Sequence, residues 1–198
     1  MKSDIILSGV GGQGILSIAA TIGMAAIENN LNLKQAEVHG MSQRGGAVQS
    51  HLRVSDKEIA SDLIPLGQAD LIISVEPMES LRYLPWLSES GWLVTNTTPF
   101  VNIPDYPDLK ELLTEIERIP HHIAINADEI ARQVKSPRSS NIVMLGAASP
   151  FLDIPYESLE NGIRKIFGRK GDKIVHSNLT ALKAGREFAL ENTPIGSE

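Results

Sequence analysis

Hydrophobic positions along the chain switch repeatedly between two rhythms. Asp4–Ser8 (Asp-Ile-Ile-Leu-Ser) is a short apolar run, the pattern of a strand covered on both faces, and it leads directly into Gly9-Val10-Gly11-Gly12-Gln13-Gly14. From Ile15 to about Asn29 the spacing becomes helical. Ile15, Ile18, Ala19, Ile22, Met24, Ala26 and Ile27 cover more than one narrow stripe, as a helix lying on a sheet requires. Asn29-Asn30 supplies the stop. A second strand is expected at Gln35–His39, followed by the polar loop His39-Gly40-Met41-Ser42-Gln43-Arg44-Gly45-Gly46. Ala47–Val54 then alternates. Val48, Ser50, Leu52 and Val54 point one way and Gln49, His51 and Arg53 the other, which predicts a strand with one buried and one polar face.

The same reading places strands at Leu71–Val75, Trp92–Asn96 and His122–Asn126. Helices are expected at Glu76–Leu87 (broken near Pro85), Leu109–Ile119, Asp128 to about Val134, and Ser139–Leu145 leading to Gly146-Ala147-Ala148. Phe100–Pro107, with Pro104 and Pro107, is loop, and Tyr156–Phe167 and Asp172–Glu191 are amphipathic helices. Strands alternating with helices predict an α/β fold, a three-layer α/β/α sandwich of Rossmann-like kind. The sheet should be mostly parallel, or mixed if the 35–54 region pairs as a hairpin. No repeat, linker or break divides residues 1–198, which are expected to form a single domain.

Composition narrows the function. The chain is 42% hydrophobic but only 5% aromatic, so Leu, Ile, Val and Ala must build the core. A formal net charge of -6 offers no basic field for nucleic acid. Arg164, Lys165, Arg169, Lys170 and Lys173 form one small basic cluster, which a solvated helix end explains better than phosphate binding. The start lacks a charged leader, and no apolar run approaches the ~20 residues that cross a bilayer. A soluble cytoplasmic protein is the expectation, with no nucleic acid or membrane partner. The chain contains no cysteine, which excludes disulfides, a thiol nucleophile and ordinary thiolate ligation of an iron–sulfur cluster. Metal redox centres, if the reaction needs them, belong on another polypeptide.

Gly9, Gly11 and Gly14 satisfy G-x-G-x-x-G between a strand and a helix, where backbone amides approach a phosphate at the positive end of the helix. A complete dinucleotide site adds an acid that closes the second strand and holds a ribose, and Glu37 is the candidate. A stand-alone oxidoreductase binding NAD or FAD through this loop is therefore one reading. Glycines that only seat helix on strand, and a loop that meets a phosphate or a partner, are the others. No P-loop and no G-x-S-x-G pattern occurs. His39 and His51 lack the acidic neighbours of a metal site, and His121-His122 suits solvation or a backbone hydrogen bond. Glu76 and Glu79 follow a strand end where α/β proteins bind ligands, but they suit a helix N-terminus equally. Ser139-Ser140-Asn141 reads as a helix cap.

Three stretches together are more specific than the glycines alone: Gly9–Gly14, Ala36-Glu37-Val38-His39-Gly40-Met41-Ser42-Gln43-Arg44-Gly45-Gly46, and Val48-Gln49-Ser50-His51-Leu52-Arg53. With Asn141–Ala147 and the late Asn178…Ala181…Gly185 helix, they resemble the small, gamma-type subunit of the 2-oxoacid:ferredoxin oxidoreductases over most of residues 3–190. Within that family the likeness is greatest to the beta subunit of the indolepyruvate branch. The resemblance implies a complex in which a 2-oxo acid adds to thiamine diphosphate, held with Mg, and loses carbon dioxide. Two electrons then pass through iron–sulfur clusters to ferredoxin, and coenzyme A captures the acyl group. For the indolepyruvate branch the substrate is an aryl pyruvate. It also implies that thiamine and clusters sit on a large partner subunit, that this chain alone binds no cofactor, and that it supplies no catalytic residue. Gly9, Gly11, Gly12, Gln13 and Gly14, with Ser42, Gln43, Arg44, Gly45 and Gly46, are then candidates to face the partner's thiamine site or the path of coenzyme A. Gln49, His51 and Arg53 would continue that surface. A loop that merely shapes the subunit interface fits the same residues.

Overall fold

In a computed structural model of the chain, which describes residues 1–39 and 45–193, the first apolar run extends into strand β1 (Lys2–Val10), buried from Ser3 onward. Its side chains alternate between layers: Ile5 and Leu7 enter the larger core and Ile6 the smaller. Strands β2 (Asn32–His39), β3 (Ala47–Ser55), β4 (Ala69–Ser74), β5 (Leu87–Asn96) and β6 (His122–Ile125) complete a sheet of order β2-β3-β1-β4-β5-β6. β1, β4, β5 and β6 run parallel, whereas β3 is antiparallel to both β1 and β2. The sheet is therefore mixed, with the antiparallel part where the 35–54 pattern suggested it.

Helices α1 (Ile15–Glu28), α4 (Ala127–Gln133), α5 (Ser140–Ala148), α6 (Tyr156–Phe167) and α7 (Asp172–Asn192) cover one face around the larger core. The other face carries α2 (Pro77–Arg82), α3 (Leu109–Glu117) and a 3-10 turn at Leu84–Trp86 around Ile6, Ile72, Leu93 and Ile116. These are the three layers of the expected sandwich. Among the described residues no helix is long and apolar enough to cross a membrane.

One expectation is corrected. Gln49, His51 and Arg53 do not form an outward polar face. β3 is an interior strand, and residues 56–67 fold over its second side. Ile64 N–H donates to His51 Nδ1 at 3.0 Å, and His51 meets Trp86 edge-on at 6.1 Å. Arg53 reaches both oxygens of buried Asp4 (2.7 and 3.0 Å) and the carbonyls of Ser61 and Leu63. Burial lowers the His51 imidazole below its usual range. The helix expected to open at Ser139 and lead into Gly146-Ala147-Ala148 is α5. The helix runs on to Ala148 and is buried from Ile142 onward, because Gly146 is the point where α7 crosses. A Cβ there would stand 2.0 Å from the Leu182 carbonyl oxygen, and one on Gly185 would stand 1.9 Å from that of Val143. The two helices touch backbone to backbone.

Candidate functional site

β1 ends at Val10, and the chain turns through Gly11–Gly14 into α1. Gly14 caps that helix with φ 83°, in the left-handed region, and an added Cβ would meet Asn141 Nδ2 at 2.6 Å. The same Asn141 amide donates to the Gly14 carbonyl at 3.0 Å, so both conformation and close approach call for glycine. Gln13 fastens the turn from within. Its Oε1 accepts from Val10 N–H at 2.7 Å, and its Nε2 donates to the Val75 carbonyl at 3.4 Å. Gly11 N–H donates to the Gly46 carbonyl (2.9 Å), and Gly45 N–H to that of Gly11 (3.4 Å). The two glycine segments singled out in the sequence therefore lie side by side. Ser42, Gln43 and Arg44 fall outside the described residues.

Beside this turn opens a cleft of about 780 Å³. The N-termini of α1 and α5 both reach it, and neither is capped by a side chain. Ser139 stands at the N-cap position as the sequence suggested, but its hydroxyl accepts from Ser136 Oγ at 2.9 Å rather than from a helix N–H. Backbone N–H groups at a helix start carry partial positive charge. Lys135, Arg138 and Lys170 add three full charges, and no carboxylate is among the lining residues. Lys170 comes from the basic cluster read as a solvated helix end, whereas Lys165 of that cluster pairs with Glu28 at 2.9 Å on the surface. Lys135 and Arg138 were not singled out by sequence reasoning. Two basic residues flanking a proline, one turn before an apolar helix, were the available signal.

Glu76, fully buried at the end of β4, resolves to the helix-cap reading, with Oε2 accepting from Glu79 N–H at 2.8 Å. Its other oxygen accepts from Phe100 N–H (3.3 Å) and from the Tyr106 hydroxyl. Burial and then Glu76 push the Tyr106 phenol above its usual range. Burial likewise raises the Glu79 carboxyl, outweighing the pull of Arg82 at 3.0 Å. A raised carboxyl holds its proton more tightly folded than unfolded, so ionised Glu79 opposes folding above its folded pKa, and that penalty disappears once both states are protonated. Glu79→Gln is accordingly expected to melt higher than the wild type near about pH 7.5, with the gap closing towards about pH 4. Thermal melts at the two pH values check this.

The model of the pyruvate ferredoxin/flavodoxin oxidoreductase family matches residues 4–188. The chain belongs to that family. Among its relatives, the indolepyruvate oxidoreductase subunit IorB of Archaeoglobus fulgidus is 37% identical, over 98% of both chains. The gamma subunit of a keto/oxoacid ferredoxin oxidoreductase from Geobacter sulfurreducens superposes with a TM-score of 0.72 at 25% identity, covering 96% of this chain and 99% of that one. A 2-oxoglutarate:ferredoxin oxidoreductase from Magnetococcus marinus, solved with 2-oxoglutarate, coenzyme A and succinyl-CoA bound, shares the fold with a TM-score of 0.76 at 23% identity. It covers 97% of this chain, which spans only 32% of that longer one.

The described residues and the family relatives do not support the NAD or FAD reading. Glu37 sits on β2, and antiparallel β3 separates β2 from β1. The would-be ribose acid is two strand spacings, ~10 Å, from the strand that carries the glycines. It accepts instead from Gln35 Nε2 at 2.6 Å. His122 Nδ1 contacts the Ile119 carbonyl at 2.7 Å and His121 stacks on Trp92, so both serve the strand entrance. Among the described residues no three His, Asp or Glu side chains converge as a metal site.

Proposed function

We infer that this chain is the small subunit of an indolepyruvate:ferredoxin oxidoreductase. It works on a cofactor-bearing large subunit that converts aryl pyruvates to acyl-CoA and passes the electrons to ferredoxin. The observation that carries this reading is the 37% identity to an indolepyruvate oxidoreductase subunit along essentially the whole of both chains. With no cysteine in this sequence, the iron–sulfur clusters, and with them thiamine diphosphate and Mg, are assigned to the partner. Residues 1–198 act as one domain of a cytoplasmic complex.

The cleft gives the chain a task of its own. Coenzyme A brings a pyrophosphate and a further phosphate on its nucleotide end and supplies the thiol that takes up the acyl group. The donor set suits those phosphates: Lys135, Arg138 and Lys170, two uncapped helix starts and no opposing carboxylate. Gly12, Gln13 and Gly14 form the wall of the cleft, and Gly45 and Gly46 lie against Gly11 beside it. This chain therefore holds the nucleotide end while the reacting carbon stays on the partner. The Magnetococcus enzyme of the same fold, with coenzyme A bound, supports the assignment.

Co-expression with the large subunit tests the function. Reduction of ferredoxin or viologen should require both chains, indolepyruvate and coenzyme A, and should be slower with pyruvate or 2-oxoglutarate. A lone chain that gains thermal stability with NAD or FAD, and does not associate with the large subunit, would sink the proposal.

A further inference from the structure

The segment after β5, residues 97–107, combines two properties that a solvated loop does not need together. It has no regular structure, yet it is held along its length. Thr97 N–H donates to the Ile125 carbonyl (2.9 Å), Phe100 N–H and the Tyr106 hydroxyl both donate to Glu76, and Asn102 Nδ2 donates to the Gly45 carbonyl (2.7 Å). Burying a carboxyl group is costly unless it is hydrogen-bonded, and two of the groups that satisfy Glu76 belong to this loop. The order so obtained presents apolar side chains to water: Phe100 is 43%, Val101 68% and Ile103 41% exposed. Of the eleven residues only Asp105 is charged, in a chain that is 21% charged overall. Apolar, charge-depleted surface on a pre-ordered backbone is what the centre of a protein interface has.

Its position indicates the occupant. The loop touches Gly45, which touches Gly11, so the patch borders the glycine turn and the coenzyme A cleft. Phe100 also lines a cavity of about 210 Å³ together with Gln13 and Asn141. In the Magnetococcus relative this fold is a third of one longer chain, so there it is carried by a body larger than itself. We propose that Phe100, Val101 and Ile103 form the docking surface for the cofactor-bearing large subunit, with Glu76 as the anchor that pre-orders it. This rests on the function proposed above. Docking here would bring the glycine turn and the cleft against the partner.

The test is the dissociation constant between this chain and the large subunit, measured by interferometry. Val101→Asp should weaken binding by about 30-fold, the loss expected of an interface anchor, without lowering the melting temperature of the isolated chain, because Val101 is already in water. Ile27→Asp, at a comparably exposed apolar residue on α1, should bind as wild type. Glu76→Ala should weaken binding with the patch residues intact, and Glu76→Gln, which keeps an acceptor, should restore most of it. Wild-type affinity for both Val101→Asp and Phe100→Asp would overturn the proposal. So would a Val101→Asp effect confined to self-association, which would make the patch a contact between two copies. If the wild-type chain fails to bind the large subunit at all, the function proposed above falls as well.

Discussion

Gly185→Ala is expected to lower the stability of the chain by about 3 kcal/mol, although the same exchange in an open helix gains up to about 1 kcal/mol from helix propensity. The contradiction in sign is the point of the experiment. Gly185 lies within α7, where Ala is the better helix former, but its added Cβ would stand 1.9 Å from the Val143 carbonyl oxygen of α5. Real Cβ atoms essentially never come closer than 3.0 Å, so the helices must part by about an ångström. That loosens α5, which is buried from Ile142 to Ala148 and carries much of the larger core. For a chain of this length the loss corresponds to a fall of about 10 °C in melting temperature. Gly168→Ala, where nothing lies within 4 Å of the new atom, serves as the control and should melt with the wild type. A Gly185→Ala protein as stable as the wild type would show that the helices do not cross backbone to backbone.

Neutralising the cleft should act on the complex rather than on the fold. Arg138 and Lys170 are exposed at its rim, so Arg138→Gln combined with Lys170→Gln should leave the melting temperature of the chain unchanged. Each charged hydrogen bond to a phosphate contributes about 1.5 kcal/mol at the exposed end of the usual range. Together they predict about a hundredfold rise in the KM for coenzyme A. The kcat at saturating coenzyme A should hold, because neither side chain is asked to touch the reacting carbon. Wild-type KM should also rise with ionic strength, and less steeply in the double variant. An unchanged KM would move the phosphates elsewhere, while a fall in kcat alone would mean that the cleft shapes the assembly instead of binding the nucleotide.

Local pattern carried most of the element list. The boundaries of α6 coincide with the expected ones, and α1 and α7 differ from theirs by one residue. Polar residues hid the remainder. Asn32-Leu33-Lys34 extend β2 because it is an edge strand that tolerates water on its flank. The β5 strand was expected only from Trp92, yet it begins at Leu87, takes in Ser88-Glu89-Ser90 and crosses an irregular pairing with β4 between Ala69 and Leu71. The second face of β3 was misjudged because alternation shows which residues share a side, not what covers it. At the site, Gly9–Gly14 and Gly45-Gly46 were each legible as motif segments. Lys135 and Arg138 were not, because they are more than 120 positions from Gly14 in sequence and reach it only through the seating of α5 beside α1.

The position of β1 governs the order in which the protein can be built. β1, synthesised ahead of the strands on either side of it, lies inside the sheet between β3 and β4, so one of its edges waits for residues up to about Ser55 and the other for residues up to about Ser74. Its parallel neighbours then arrive in sequence order, β4, β5 and β6. α5 and α7, whose crossing covers the larger face, come near the end. A nascent chain therefore carries an apolar sheet surface through most of its synthesis, the kind of exposure that invites misassociation and chaperone binding. Release from that state waits on the arrival of Gly185 opposite Gly146.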